Sequence, residues 1–310
     1  MKSNSEMRRE ARSALRGKWF WRLLASGLVL QAIGYVANAA VVKAFDAMSI
    51  TTVGDFIAAK INAAQQGLAY SLPTTKAYFW MAAGFCFQIF ISYIFAAIFA
   101  FGFAKLLLKM GDDDSRWFAD SFSGFTRPFE LAWLLFLMNL LVTLSALPGA
   151  FLGGLAAGAA YLLLSGRAFA ALGVAAIVAV AGAIAVCGLL RATYAYRQAW
   201  FIKNERPEAS AINCLRESRQ MMKGHKFQAL CLDCSYIGWL LLMSAVFSAS
   251  WLFGVLAQEG AVAAFAGVVS FLLGGFAFYV LIKIILEVMV VRMVFYRALP
   301  KAGETAEVEV

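Results

Sequence analysis

Six stretches of the 310-residue chain run for about 20 residues or more without a Lys, Arg, Asp or Glu, the length a helix needs to cross a hydrocarbon core of about 30 Å. They are residues 23–42, 77–104, 131–150, 168–190, 234–258 and 260–282. Backbone in lipid must satisfy its own hydrogen bonds, so each stretch has to be helical. With 62% hydrophobic and 15% charged residues, the chain lies outside the range of soluble globular domains. The expected fold is an all-α integral membrane protein, one multispan domain over 1–310 with about six transmembrane helices. The third run continues uncharged through Pro148 and several glycines to Gly166. That excess is read as a re-entrant or interfacial segment rather than a seventh span. Small residues four apart, Gly149 with Gly153, Gly154 with Gly158 and Ala179 with Ala183, are read as ordinary packing in an Ala/Gly-rich bundle.

Orientation follows from where the 27 Lys and Arg residues fall, because cytoplasmic loops hold the excess. Seven lie at the N-terminus through Arg22, four between Lys105 and Glu130, eight between Arg191 and Lys226, and four from Lys283 onward. The alternate loops hold only Lys43, Lys60, Lys76 and Arg167. Both termini are therefore expected in the cytoplasm. The net charge of +9 is a leaflet asymmetry that suits anionic lipid headgroups and does not call for nucleic acid. The basic start, the first apolar run and Ala37-Asn38-Ala39 resemble a cleavable leader, but the run has the length of a span, and it is read as one. Of the five cysteines, Cys86 and Cys187 fall mid-span and Cys214, Cys231 and Cys234 on the cytoplasmic side, so no disulfide framework is expected. The acidic tail, 303–310, reads as disordered.

One basic segment is written twice. REARSALRGKWF, Arg9 to Phe20, returns as RESRQMMKGHKF, Arg216 to Phe227, with Arg, Glu, Arg, Gly and Phe at the same places. In the first copy Met7, Ala11, Ala14 and Leu15 recur at helical spacing, with Ser5 as a candidate N-cap and Gly17 as a candidate C-cap. In the second, Pro207 suits the first turn, Gly224 the end, and Ala211, Leu215, Ser218 and Met222 form a weak apolar stripe. Residues 1–18 and 204–226 are therefore expected to be amphipathic helices lying in the cytoplasmic interface. Their candidate headgroup- or partner-binding residues are Arg9, Arg12, Arg16, Arg216, Arg219, Lys223, His225 and Lys226. A fainter third copy is read in SRWFADSFSGFTRPF, with Trp117, Phe118, Phe122, Gly124 and Phe125. True duplication and shared composition both account for the likeness. A surface helix is also expected from Thr52 and Asp55, at capping-box spacing, on to Leu68.

Chemistry is constrained mainly by what is missing. His225 is the only histidine, and no HExxH or GxxxxGK[ST] pattern occurs. Cys231 and Cys234 form a CxxC near Cys214 and His225, but a structural zinc site brings two close ligand pairs, so these are read as packing residues. No catalytic residue, metal or cofactor is assigned. Asp233, at the start of the fifth span, needs a partner, and Arg219, Lys223 or Lys226 are the candidates. Lys283 and Glu287, four apart at the cytoplasmic end of the sixth, are expected either to pair with each other or to snorkel. Asp112 to Asp114 read as a solvated loop, and Gln88, Ser92, Tyr93 and Asn139 are too sparse for an ion pathway.

From Arg191 to Leu242 the chain resembles the bacterial membrane family known as domain of unknown function 975. Ser218, Arg219, Met222, Gly224, His225, Lys226, Asp233, Ile237, Gly238 and Trp239 carry the likeness, with ARSALRGKW at Ala11 to Trp19 and FSGF at Phe122 to Phe125. The Gly/Ala-rich stretch from Gly149 to Arg167 and the pair Cys231 and Cys234 depart from its pattern. The resemblance implies a multi-pass protein of the bacterial inner membrane, distantly similar to the membrane domain of some glycerophosphodiester phosphodiesterases. The spans and short loops take up these residues, so no phosphodiesterase domain is expected. The leading expectation is a non-enzymatic protein that contacts anionic lipid or supports membrane-protein assembly, its protein partner unspecified and self-association left open. A small-solute transporter or channel is the alternative, and a membrane-embedded enzyme acting on lipid the third.

Overall fold

The first helix is set by its cap. The Ser3 hydroxyl accepts from the Glu6 N–H at 3.3 Å, and the Glu6 carboxylate accepts from the Ser3 N–H at 2.8 Å. This capping box opens α1, Asn4–Ala14. The cap is thus Ser3, not the expected Ser5: only Ser3 has a glutamate three residues on to complete the reciprocal pair. The backbone hydrogen bond from Ser3 holds the Glu6 carboxyl below the usual glutamate range. A depressed folded-state pKa gives stability that is present above the unfolded-state value and lost as pH falls through the folded-state one. Acidification from neutral to about pH 3 is therefore expected to speed amide exchange in the first turn of α1, after correction for the intrinsic rate. Glu6→Ala should abolish that acid-dependent part. Protection that stays level with pH in the unaltered chain would count against the cap.

The structure, a computed structural model, describes residues 2–47, 60–63, 65–66, 75–110, 116–164, 170–256 and 263–300. After α1 come α2 (Lys18–Ala47), α3 (Thr75–Leu108), α4 (Trp117–Ser121), a 3-10 turn (Ser123–Thr126), α5 (Pro128–Leu164), α6 (Ala170–Tyr196), α7 (Ala199–Glu205), α8 (Ala211–Met221), α9 (Lys226–Cys234), α10 (Ile237–Leu256) and α11 (Ala263–Ala298). No strand occurs among the described residues. Among the described residues, six helical segments are long and apolar enough to cross a membrane: Lys18–Phe45, Phe79–Leu108, Pro128–Leu155, Ala175–Glu205, Lys226–Phe253 and Gly267–Ala298. The protein is an all-helical, multi-pass membrane type. Most of the helix expected from Thr52 lies outside the described residues, although 60–63 are helical. Asp112 to Asp114 and the tail 303–310 also lie outside them.

The chain divides into two compact units. Met1–Trp21, Leu107–Asp113 and Phe136–Val310 make the first, and Arg22–Leu106 with Asp114–Leu135 the second. In the second, Gln88 donates to Asn38 at 3.0 Å and ties α3 to α2. A Cβ on Gly102 would sit 2.0 Å from the Ser121 carbonyl oxygen, so only glycine lets α4 lie on α3. Lys105 pairs with Asp120 at 2.9 Å, and Ser121 donates to Ser26 at 3.0 Å. This is where the third copy of the basic helix was expected. Instead α4 has five residues and no side-chain cap, and Gly124 packs against the Ile98 carbonyl, which a Cβ would approach to 2.6 Å.

In the first unit, α10 and α11 pack as a hairpin, stitched where Ser250 and Ser270 each donate to the other's carbonyl at 2.8 Å. Helix α5 continues through Pro148 to Leu164, so the expected re-entrant segment is the last part of one long helix. A seam of small residues explains the continuation. Gly149 lies against Ala185, Gly153 against Ala181 and Gly188 against the Ser145 carbonyl, which holds α5 beside α6. Gly154 and Gly158 meet nothing within 4 Å, and on α6 the close contacts fall at Ala181 and Ala185.

The amphipathic helices lie against the bundle. Helix α1 packs on α11, and α8 packs on α6 and α7. Met7, Ala11 and Leu15, like Ala211, Leu215, Ser218 and Met222, are buried within the protein. Their apolar stripes thus bind the bundle and leave the charged faces, with Ile212, outward, because neighbouring helices offer denser contacts than headgroups do.

Candidate functional site

The two copies superimpose in local design. Helix α1 is capped by Ser3 and ends at Ala14, with Leu15 as its C-cap; α8 is capped by Ser210 and ends at Met221, with Met222 as its C-cap. Every one of these positions is displaced by the same interval as the sequence repeat. Gly17 (φ 76) and Gly224 (φ 79) are the positive-φ glycines among the described residues, and a Cβ at either would meet nothing within 4 Å. Their requirement is therefore conformational, a left-handed turn that ends one helix and starts the next. Helix α8 begins after Ser210, because α7 ends at Glu205 and Lys203 donates to the carbonyls of Pro207 and Ala209 at 2.8 Å each, which holds 206–210 as a turn.

Ser218, in the second copy, fills a break in a span. Helices α6 and α7 join at Arg197–Gln198, where the backbone hydrogen-bond ladder is interrupted. Ser218 Oγ donates to the Ala195 carbonyl at 2.9 Å and accepts from the Gln198 N–H at 3.2 Å. Gln198 Nε2 reaches Met222 Sδ at 3.8 Å. Both freed backbone groups thus find a partner away from water.

The same joint aims Arg197 at Asp233. Arg197 donates to both carboxylate oxygens, at 2.9 and 3.2 Å, Tyr194 donates at 2.9 Å, and Arg292 lies at 3.6 Å. The Arg197 side chain is 7% exposed and that of Asp233 22%, and the guanidinium lies 5.4 Å from the Tyr194 ring centre. This is a bidentate, mostly desolvated ion pair. Asp233 was expected to pair with Arg219, Lys223 or Lys226. It turns away from them because it lies in the last turn of α9, facing the α6–α7 joint. The apolar helical segment that takes in the expected fifth span runs Lys226–Phe253, with a turn at Ser235–Tyr236.

Three residues on, Tyr236 serves a second carboxylate. Tyr236 donates to Glu287 Oε1 at 2.9 Å, and Arg12 Nε donates to the same oxygen at 2.7 Å, which holds Arg12 above its usual pKa. Of the two outcomes expected for Lys283 and Glu287, the pair does not form, since α1 delivers a guanidinium to the buried carboxylate. Lys283 is exposed on α11, with no carboxylate partner among the described residues. It lines a cavity of about 800 Å³ together with Arg12, Arg16 and Glu287.

The other basic residues form a surface. Arg216, Arg219 and Lys223 are exposed, as are Arg9 and Arg16, while His225 and Lys226 are half-buried. Arg191 and Arg219 lie close enough to repel Lys226. Phe227, 75% exposed, and Ile212, 57% exposed, flank these charges. Cys214 is buried, Cys231 half-buried and Cys234 exposed. Among the described residues no three His, Cys, Asp or Glu side chains converge as metal ligands would.

Sequence reasoning missed Arg197, Tyr194, Arg292 and Tyr236. The usable signals were two i,i+3 pairs: Tyr194 with Arg197, and Asp233 with Tyr236. Each sets a carboxylate or its partner three positions from a phenol, about one helical turn. No curated protein and no solved structure matches the chain. A family model described as "Protein of unknown function (DUF975)" matches residues 1–302. The caps, the left-handed glycines, Ser218 and Asp233 thus sit within a match that takes in nearly the whole chain, and the protein belongs to that family.

Proposed function

We propose that this is a multi-pass protein of the bacterial inner membrane that binds anionic lipid through the basic face of α8 and α9 and thereby supports the arrangement of membrane components, without catalysing a reaction. The carrying observation is the cluster of Arg191, Arg219 and Lys226, in which both arginines lie close enough to the lysine to repel it. None has a carboxylate partner among the described residues, whereas in the same unit Arg12, Arg197 and Arg206 are engaged by Glu287, Asp233 and Glu217. Holding cations together in this way costs free energy unless an anionic surface offsets it. Each Lys or Arg near such a surface contributes about 1 kcal/mol. The exposed Phe227 and Ile212 beside the cluster suit insertion at headgroup depth. The uneven distribution of the 27 cations supports cytoplasmic placement of both termini and of this face.

The test compares the unaltered chain with an Arg216→Glu, Arg219→Glu, Lys223→Glu variant in native nanodiscs, at equal abundance and helicity. The proposal expects anionic phospholipid to be enriched several-fold around the unaltered protein and to fall to the bulk proportion in the variant. Matching lipid inventories would overturn it and leave the basic face as a determinant of orientation alone.

A further inference from the structure

The cavity beside Glu287 has the make-up of a site for one anionic lipid. Its walls come from the end of α1, the first turn of α2, α10 and α11, and the left-handed turn at Gly17 brings Arg16 and Phe20 to the same space. At about 800 Å³ it falls within the usual range of ligand pockets, about 300–1,000 Å³. Its polar end is charge-unbalanced. Glu287 is already neutralised by Arg12 at 2.7 Å and hydrogen-bonded by Tyr236 at 2.9 Å, so Arg16 and Lys283 stand as two cations without a carboxylate among the described residues. Lys283 follows directly on the uncharged run 260–282 and is exposed on α11, and an unpaired cation at the edge of a span suits an anionic ligand or partner.

The rest of the wall is apolar. Phe20 packs edge-on against Trp21 at 5.3 Å and against Tyr279 at 6.3 Å, and Trp239 and Phe276 complete it. Trp21, Trp239 and Phe276 are each at least half exposed, so this side is open to hydrocarbon. A soluble anion would leave the aromatic wall unused, and a neutral lipid would leave both cations uncompensated. From these two features together we infer that the cavity holds a phospholipid with a net negative headgroup, its phosphate between Arg16 and Lys283 and one acyl chain along Phe20, Trp21, Trp239 and Phe276. The inference rests on the reading above that the protein binds anionic lipid, but it concerns a different surface and a single bound molecule.

The experiment reconstitutes the full chain in phosphatidylcholine nanodiscs and titrates in phosphatidylglycerol with brominated acyl chains, or brominated phosphatidylcholine as the comparison. The readout is quenching of Trp21 and Trp239, isolated by subtracting the signal of a Trp21→Phe, Trp239→Phe variant. Brominated phosphatidylglycerol is expected to quench at about thirtyfold lower mole fraction than brominated phosphatidylcholine, the effect of two cations on a headgroup whose phosphate is not offset by a choline. Arg16→Gln with Lys283→Gln should erase the preference, and Arg16→Lys with Lys283→Arg should keep it, which separates charge from folding. Equal quenching by the two lipids would overturn the inference, as ordinary boundary lipid does not discriminate. Displacement of the lipid by glycerol phosphate in solution would overturn it in favour of a soluble anion. The α8 triple variant separates the two readings. Loss of the cavity preference alone sinks this site, while an unchanged lipid inventory in that variant sinks the proposed function and leaves the quenching difference intact.

Discussion

Arg197→Ala is expected to destabilise the protein by about 3–5 kcal/mol, the usual cost of removing one member of a buried ion pair. With the guanidinium gone, Asp233 would keep Tyr194 at 2.9 Å and Arg292 at 3.6 Å. Arg292 is itself substantially exposed, and a surface cation contributes little. The loss also reaches the backbone, because Arg197 belongs to the joint where Ser218 satisfies Ala195 and Gln198. Tyr194→Phe should cost much less, about 0.6 kcal/mol and at most about 1.7, the range measured for hydrogen bonds between membrane helices. Equilibrium unfolding in detergent micelles would show both. The decisive comparison is Arg197→Met combined with Asp233→Leu, which removes both charges and should recover most of the loss. A single-variant effect below about 1 kcal/mol, or a double variant no better than Arg197→Ala, would show that the pair is not what holds the two bent spans together.

What could be read from the sequence, and what could not, divides along a physical line. Spans are legible because burial in lipid is a composition effect summed over about 20 consecutive residues. The repeated basic segment was legible because caps and left-handed glycines act within a few residues. The likeness of REARSALRGKWF to RESRQMMKGHKF extends to the N-caps, helix ends and positive-φ glycines of both copies. The Ser3–Glu6 box was equally local, and the spacing that identifies it was present to be read.

Partners were not legible. Arg12 and Glu287 are 275 positions apart, and Arg197 and Asp233 are 36 apart. Basic residues nearer Asp233 in the sequence point elsewhere once α8 and α9 are turned by Gly224. Nor could composition say that the apolar stripes of α1 and α8 meet other helices instead of headgroups. Met7, Ala11 and Leu15 would suit either surroundings, and only the presence of α11 decides. The residues of the candidate lipid cavity come from three separate parts of the chain for the same reason. Arg16 was singled out from its segment and Lys283 from its place in a span, but nothing in the sequence brought them to one end of a common space.

Gly188 and Gly154 should respond in opposite directions to the same substitution. Both lie inside helices of the first unit, and by propensity alone replacing either with alanine should stabilise by roughly 0.5–1 kcal/mol. At Gly154 nothing lies within 4 Å of the added carbon, so the gain should survive. At Gly188 a Cβ would stand 2.3 Å from the Ser145 carbonyl oxygen, and the obstacle is backbone, which cannot swing aside as a side chain can. Helices α5 and α6 would have to separate. That would stretch the hydrogen bond from Ser145 Oγ to the Gly188 carbonyl, now 3.0 Å, and loosen the contacts of Gly149 and Gly153 along the seam. Overpacking of this kind costs about 1–3 kcal/mol, and Gly188→Leu should exceed that range or prevent folding. If Gly188→Ala matched Gly154→Ala in unfolding measurements, α5 and α6 would not be in close contact. The uninterrupted course of α5 past Pro148 would then lose its physical support, because a helix holding this many glycines depends on a neighbour near enough to replace the packing their missing side chains would have supplied.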